Sequence, residues 1–386
     1  MMSSNNDQVS AEIQEDMKRS AKRKIAVIFG YLGSQFSGLQ LNDGVRTVEQ
    51  ALEQAFHKCG CIADYNHEGG LQKVQWTRSS RTDKGVHAAI NVISLKSMRS
   101  DDINLIQELQ SHLPDDVRLY GCIRVTKSFH SKLMTTSREY EYVLPGFLLN
   151  QLSDEDRTSL NTTPDINQSI CNLENRHTDS IDVDRFNSIL SLFLGTNSYH
   201  NFTTGTSSFD SSAKRYITKF QADIINRPDG DLIRIQIHGQ AFLYNQIRKM
   251  IGTCIAIYHN VLDQCHLYQR DLFDSTKLYK LPLAPASGLF LQRPLFRDYN
   301  LKFADRHDLK PLDFAEFESD VTDFVNTKIY SEIVVLDKTN HDFARWMVNT
   351  ILDTSFDWNS HKEAERSTVE TSQPKKKRRM YRNQRN

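Results

Sequence analysis

The stretch WTRSSRTDKGVHAAINVISLK, Trp76 to Lys96, sets one carboxylate among cations: Asp83 follows Arg81 by two residues and precedes Lys84. Positive charge at that range favours the ionised carboxylate, so Asp83 is expected to stay charged. An ionised carboxylate held in a closed site can attack an electrophilic carbon or take a proton. Gly85 then leads into an alternating run, residues 89–96, that reads as a strand. A solvated surface turn would show the same RTDKG, so the chemistry depends on what else converges there.

Three other segments call for partners. In FLYNQIRKMIG, Arg248 shares a helix face with Tyr244, Ile251 and Ile255, and a part-buried guanidinium requires a carboxylate or phosphate. Lys249, one position on, is expected to point to solvent. In REYEY, Tyr140 and Tyr142 lie two apart on one strand face, beside Arg138 and Glu139. Aromatics beside cations on a strand can stack a nucleic-acid base, although core aromatics give the same pattern. The loop GYLGSQFSGLQ, residues 30–40, has glycines that would let backbone approach a phosphate, without a GxGxxG or P-loop spacing.

The elements that must position these residues can be read in outline. Residues 24–29 form a strand, and Thr47 with Gln50 caps a helix whose Val48, Leu52, Ala55 and Phe56 share a face. Residues 102–112 predict a helix, and 117–125 and 138–144 predict strands. The polar run 146–181 reads as an irregular insertion or linker. Asp182 then caps a helix, 216–225 and 232–239 are strands, 242–258 is a long helix, and 288–296 closes as a strand. Two halves of similar make-up follow, without a residue-level repeat. Two helices are expected in 301–366, near 313–325 and 341–352. The resulting divisions are 1–22 disordered, 23–145 and 182–300 as catalytic halves, 146–181 between them, 301–366 as a helical extension, and 367–386 as a basic disordered tail.

The chain has 386 residues, 39% hydrophobic and 25% charged, with zero net charge. That zero is an average. Residues 367–386 carry seven Lys/Arg against Glu370, a net +6, while 151–185 come to −5 and 301–366 to −6. The remaining body is +5, compatible with a polyanionic partner. The cluster Lys375–Arg379 matches a nuclear-import signal. No apolar run has the length of a membrane span. The N-terminal stretch lacks an apolar signal core and carries Glu12, Glu15 and Asp16, unlike a presequence. The six cysteines include no CxxC pair, and His57, Cys59, Cys61 and His67 fit no common zinc spacing, so no metal is expected.

SSRTDKGVHA resembles the signature of the TruA-type tRNA pseudouridine synthases. GYLGSQFSGLQ, FHSKLMTTSREYEYVLP, FLYNQIRKMIG and GLFL follow in the family's order, across about residues 24–300. HNFT, SAKRYI and NQIRKMIG resemble the eukaryotic, nuclear branch that modifies many tRNA positions. The resemblance implies an α+β fold, two ferredoxin-like halves joined in one antiparallel sheet, with a central cleft. It implies isomerisation of uridine to pseudouridine in tRNA, with no cofactor, small nuclear RNA and mRNA being further candidate substrates. By the same resemblance Asp83 is the nucleophile, Arg248 its partner, and Tyr140 the ring that stacks on the base and can help remove a proton. Arg81 holds the flipped-out state, and Leu289 or Leu291 packs the base pocket. Lys84 and His87, in the same signature, join the substrate-binding candidates. The chain departs from the pattern at Leu39, where tryptophan is usual, and at Ser80, where a small apolar residue, cysteine or glycine is usual. A monomer is expected, with the 301–366 extension covering one flank. The alternatives are a member restricted to the anticodon loop and a catalytically silent RNA-binding protein of the same fold. A glycosidase with paired carboxylates would need a second acid that the motifs do not offer.

Overall fold

The computed structural model describes residues 22–67, 70–100, 104–163, 165–175, 181–228, 230–268, 270–306, 308–353 and 355–364. The basic tail, with Lys375–Arg379, and residues 1–21 of the N-terminal segment lie outside them.

Among the described residues there are eleven strands: β1 Arg23–Tyr31, β2 Thr77–Arg78, β3 His87–Ser97, β4 Val117–Arg124, β5 Ser137–Pro145, β6 Gly195–Ser198, β7 Lys214–Ile225, β8 Leu232–Gly239, β9 Lys277–Leu278, β10 Leu289–Leu295 and β11 Lys362–Glu363. One sheet runs β4-β1-β3-β10-β5-β8-β7-β6, with β2 added to β3, and β9 pairs β11 apart from it. All ladders in the large sheet are antiparallel except β10 with β3. The fold is therefore α+β on one joined sheet. Its centre is β10, which sits between β3 and β5 and carries GLFL to both the Asp83 and the Tyr140 segments. Leu291 pairs with Ala88 on one side and with Tyr140 on the other.

The principal helices are α1 Val48–Lys58, α2 Leu105–Ser111, α3 Asp154–Thr162, α4 Ile166–Glu174, α5 Val183–Ser191, α6 Gln246–Tyr258, α7 Glu318–Phe324, α8 Tyr330–Asn340 and α9 Asp342–Trp346. Thr47 caps α1 by accepting from Gln50 N, and Asp182 caps α5 by accepting from Arg185 N, as the sequence signals require. The long helix begins at Gln246 rather than near Phe242, because Asn245 takes a left-handed conformation with φ 61°. Such a residue cannot continue an α-helix.

Two expectations are corrected. Residues 146–181 are not an irregular linker: α3 and α4 lie within them, and Leu148, Leu149, Leu160, Ile170 and Leu173 are buried in the core. The 301–366 extension folds as two continuous helical runs, 318–340 (α7, a π-turn and α8) and 342–351 (α9 and a π-turn), the first reaching well past the expected 313–325, and it is part of the core. α7 packs on β3 and α8 on β5. Phe324, Ile329, Tyr330, Ile333, Phe343, Met347 and Ile351 are all buried. Truncating one such side chain, Ile333→Ala, would cost about 2–5 kcal/mol. A Cβ on Gly121 of β4 would come within 2.5 Å of the Phe317 ring, so glycine is what lets the extension seat there. Among the described residues no helix is long and apolar enough to cross a membrane.

Candidate active site

Asp83 lies on the loop that joins β2 to β3, and that loop is tied down almost residue by residue. Ser79 N donates to Val92 O at 2.8 Å, and Ser79 Oγ donates to Asn91 Oδ1 at 2.7 Å. Asn91 Nδ2 donates to Ser80 O at 3.2 Å. Thr82 is buried, its Oγ1 hydrogen-bonded to Tyr31 Oη at 2.7 Å, and its carbonyl accepts from Leu39 N at 3.2 Å. With Thr82 turned inward, Arg81 and Asp83 on either side are left exposed. Val86 N donates back to Asp83 O at 3.2 Å, closing the turn at Gly85, where φ is +82°.

The glycine loop, residues 30–40, contributes to that anchoring. A Cβ on Gly38, at φ +91°, would stand 2.9 Å from Thr82 O, and one on Gly33 would meet the backbone of Val86. The backbone these glycines admit is that of the loop carrying Asp83. His87 serves the same join. It is buried, and its Nδ1 accepts from Gly33 N at 3.0 Å. Burial lowers its pKa to about 4, so it is neutral at physiological pH.

The loop opens onto a cleft of about 790 Å³, whose lining includes Arg81, Asp83, Tyr140, Arg248 and Leu289 from the expected set. That volume falls within the usual range for small-ligand sites. Leu291 is fully buried and lies outside the lining, as do His87 and the exposed Lys84. Tyr140 is 9% exposed, on β5 between Leu291 and Ile237, and its ring meets Phe242 edge-on at 5.2 Å and 81°.

The electrostatics differ from the expectation in sign. Withdrawal of water raises the Asp83 carboxyl above its ordinary value, and the Arg248 charge opposes that rise. Although Asp83 is open to the cleft, the surrounding protein displaces enough solvent for this effect to dominate. The opposing cation is Arg248, not the sequence neighbours Arg81 and Lys84. Nor does Arg248 form a direct ion pair with Asp83: its Nε donates to Ala284 O at 2.7 Å, which aims the side chain and leaves the remaining guanidinium donors for another acceptor. Burial pulls the Arg248 pKa down, while Tyr142, Asp83 and Tyr244 push it up. Burial likewise raises the Tyr140 phenol, against Arg138 and Ser80, so it is neutral in the free protein.

Arg138 was legible only as a neighbour of Tyr140, and the structure gives it more to do. Its Nε donates to Ser80 Oγ at 2.9 Å, Nη2 to Ser79 O at 2.8 Å, and Nη1 to Gln240 O at 3.0 Å. One guanidinium thus joins the loop of Asp83 to the segment leading into α6. Phe242, Asn245, His130, Lys132 and Arg215 also line the cleft. All five lie in quoted segments, Phe242 and Asn245 in FLYN, His130 and Lys132 in FHSKLMTTSREYEYVLP and Arg215 in SAKRYI, but none was singled out there as a site residue. Lys249 corrects its expectation. It is half-buried and donates to Asn201 O at 3.1 Å and Thr203 O at 3.3 Å, tying α6 to the HNFT segment.

A carboxylate on a fixed loop, a guanidinium and an aromatic ring thus line one cleft. Comparison with known proteins identifies the family. A family model described as tRNA pseudouridine synthase matches residues 189–296. Pseudouridylate synthase 1 homolog of Mus musculus is 33% identical, across 88% of this chain and 76% of that protein. Its Homo sapiens counterpart is 33% identical, across 84% and 72%, and tRNA pseudouridine synthase 1 of Yarrowia lipolytica 29%, across 85% and 74%. The chain belongs to the tRNA pseudouridine synthase family.

Proposed function

We propose that this chain converts uridines of tRNA to pseudouridine with Asp83 as the nucleophile. The observation that carries the residue assignment is the meeting of Asp83, Arg248, Tyr140 and Leu289 in one cleft. In the reaction the C1′–N1 bond breaks and a C1′–C5 bond forms. C5 loses its proton and N1 gains one, so atoms and electrons balance without an oxidant or reductant. The Asp83 carboxylate attacks either the anomeric carbon, as in retaining glycosidases, or the uracil ring. Either route requires it ionised, and Arg248 supplies the opposing charge. Tyr140 offers its ring face as a stacking platform, with Leu289 on the apolar side. A phenol held neutral is a poor resting base, which supports stacking over proton abstraction as its main role. The exposure of Arg81 at the cleft supports a role in holding the flipped-out state.

The segments HNFT and NQIRKMIG support the multi-site branch. Pseudouridine mapping on unmodified tRNA transcripts tests both levels. Product at several positions is expected, product confined to the anticodon loop would assign the narrower branch, and tight binding with no product would leave the silent RNA-binding reading. The sequence Lys375–Arg379 supports nuclear import, and its neutralisation is expected to reduce nuclear accumulation while purified enzyme turns over as before. Burial of the 301–366 helices in the core supports a monomer. A tight dimer by mass in solution would overturn that.

A further inference from the structure

We propose that a basic pocket at the far end of β1 and β4 is a second RNA-phosphate site, holding a part of the folded RNA distant from the reacting base. The proposal rests on the chain's acting on structured RNA. The pocket encloses about 560 Å³ and is lined by Lys22, Arg23, Lys24, Arg124, Lys127 and Arg306. Its one carboxylate among the described residues, Asp308, is engaged by Arg306 through two bonds of 2.7 Å.

Lys24 is the decisive residue. It is 4% exposed, and its ammonium makes one hydrogen bond, to Gln75 O at 2.7 Å. Three donors are available on that group, and among the described residues no carboxylate pairs with it. Lys96 stands opposite it in the ladder. Burial, helped by Lys96, lowers its pKa to about 8. A buried cation without a counterion is costly unless an anion arrives, and the neighbouring cations make the pocket fit for one.

The pocket also faces the right way. Lys24 pairs with Lys96, and Thr77 pairs with Ser94. Lys96 and Ser94 are two apart on β3, so all four share one sheet face. Thr77 lines the catalytic cleft, and so does Trp76, next to the Gln75 carbonyl that Lys24 holds. The charge of Lys24 is felt at His130 in the cleft wall, whose pKa is lowered chiefly by burial and further by Lys24 and Lys132. Lys24 and Lys96 thus put positive charge on the sheet face that Thr77 shares, while Arg23 and Arg124, whose ladder partners are Ser97 and Ile25, line the pocket from the strand ends on the other face. The run of β3 from Ala88, the partner of Leu291, to Lys96 spans about 26 Å at ~3.3 Å per residue, so a nucleotide held beside Tyr140 does not reach Lys24, although the cleft's outer edge at Thr77 lies only two ladder positions from it. A ligand using both sites is large, polyanionic and rigid enough to bridge them, as folded RNA is. The cationic lining fits contact to phosphodiesters, which positions the RNA without reading its sequence.

The test is the full-length double variant Arg124→Gln/Lys127→Gln, both residues being exposed and outside the catalytic cleft. Binding is measured over a salt series, on a whole tRNA transcript and on an isolated stem-loop carrying a modified uridine. We expect tRNA affinity to fall about five- to tenfold and the slope of log K against log salt to become shallower by about 1.8, two phosphate contacts' worth. Stem-loop affinity and the single-turnover rate at saturating RNA should stay unchanged. Unchanged tRNA affinity and slope, or an equal loss on the stem-loop, overturns the site. Failure of the wild type to form pseudouridine, with the tRNA binding difference intact, overturns the enzyme reading and leaves this one standing.

Discussion

The two walls of the cleft are built differently. The wall carrying Asp83 is fixed by Tyr31, Leu39, Asn91, Val92 and Arg138, and by glycines that admit only that backbone path. The facing wall, residues 241–248, has fewer anchors. Asn245 is left-handed, Tyr244 is 59% exposed, and the segment is held by a turn between Leu243 and Gln246, by Gln240 O on Arg138 and by Ala284 O on Arg248. A nucleophile gains from a position determined before substrate arrives, whereas a wall that receives RNA gains from freedom to adjust. The difference separates chemistry from reception within one cleft.

Substitutions on the two walls should therefore fail in different ways. Arg248→Gln removes the one charge opposing desolvation of Asp83. Turnover should fall about 10²- to 10³-fold at neutral pH, with RNA affinity much less affected. The sign of the pH effect is fixed: Asp83 loses activity as pH falls through its raised pKa, and without Arg248 that pKa rises further. The acid limb of the single-turnover pH profile should move to higher pH, with Arg248→Lys lying between. An unmoved limb would mean that Arg248 acts on the RNA instead. Gly38→Ala pushes a methyl against Thr82 O in a backbone conformation that L residues disfavour. It should cost roughly tenfold in turnover and about 1–3 kcal/mol of stability, read by denaturant unfolding. Tyr244→Ala, on the open wall, should change the Kd for RNA by about threefold and leave the saturating rate intact. If Gly38→Ala altered only affinity and Tyr244→Ala only rate, the contrast between the walls would be wrong.

An effect on stability alone, with none on turnover, lies away from both walls. Asp337 caps the turn into α9 by accepting from Phe343 N at 3.1 Å, and burial raises its pKa to about 6. The folded state then holds a proton that the unfolded chain releases near 4, so this residue lowers stability as pH rises from about 4 to 6. Asp337→Asn keeps an acceptor for Phe343 N. It should remove that pH dependence and add up to about 3 kcal/mol above pH 6, with no change in turnover, as thermal unfolding across pH would show.

What could be read in advance follows the same division. Asp83, Tyr140 and Arg248 lie in contiguous motifs, and the cleft brings those motifs together. Most strands were legible because alternation and β-branched runs mark them. The clamp by Arg138 was not, because its acceptors include the main-chain carbonyls of Ser79 and Gln240, which no side-chain pattern announces. The direction of the Asp83 shift was misjudged because sequence proximity displays Arg81 and Lys84 but not the loss of solvent around the carboxyl. α8 was missed for a geometric reason: the π-turn Val325–Ile329 shifts the phase between α7 and α8, and a 3.6-residue period does not carry across it. Lys249 was read from its helix alone, whereas its partners come from a segment about fifty residues earlier.

The most direct test of the account is single-turnover pseudouridine formation by Asp83→Asn on a tRNA transcript that the wild type modifies, with RNA binding measured in parallel. The substitution keeps the shape of the side chain and removes its charge. Product formation should fall by about four orders of magnitude or more, with Kd within about threefold of the wild type. Product at a rate within tenfold of the wild type would contradict the assignment of Asp83 as the nucleophile.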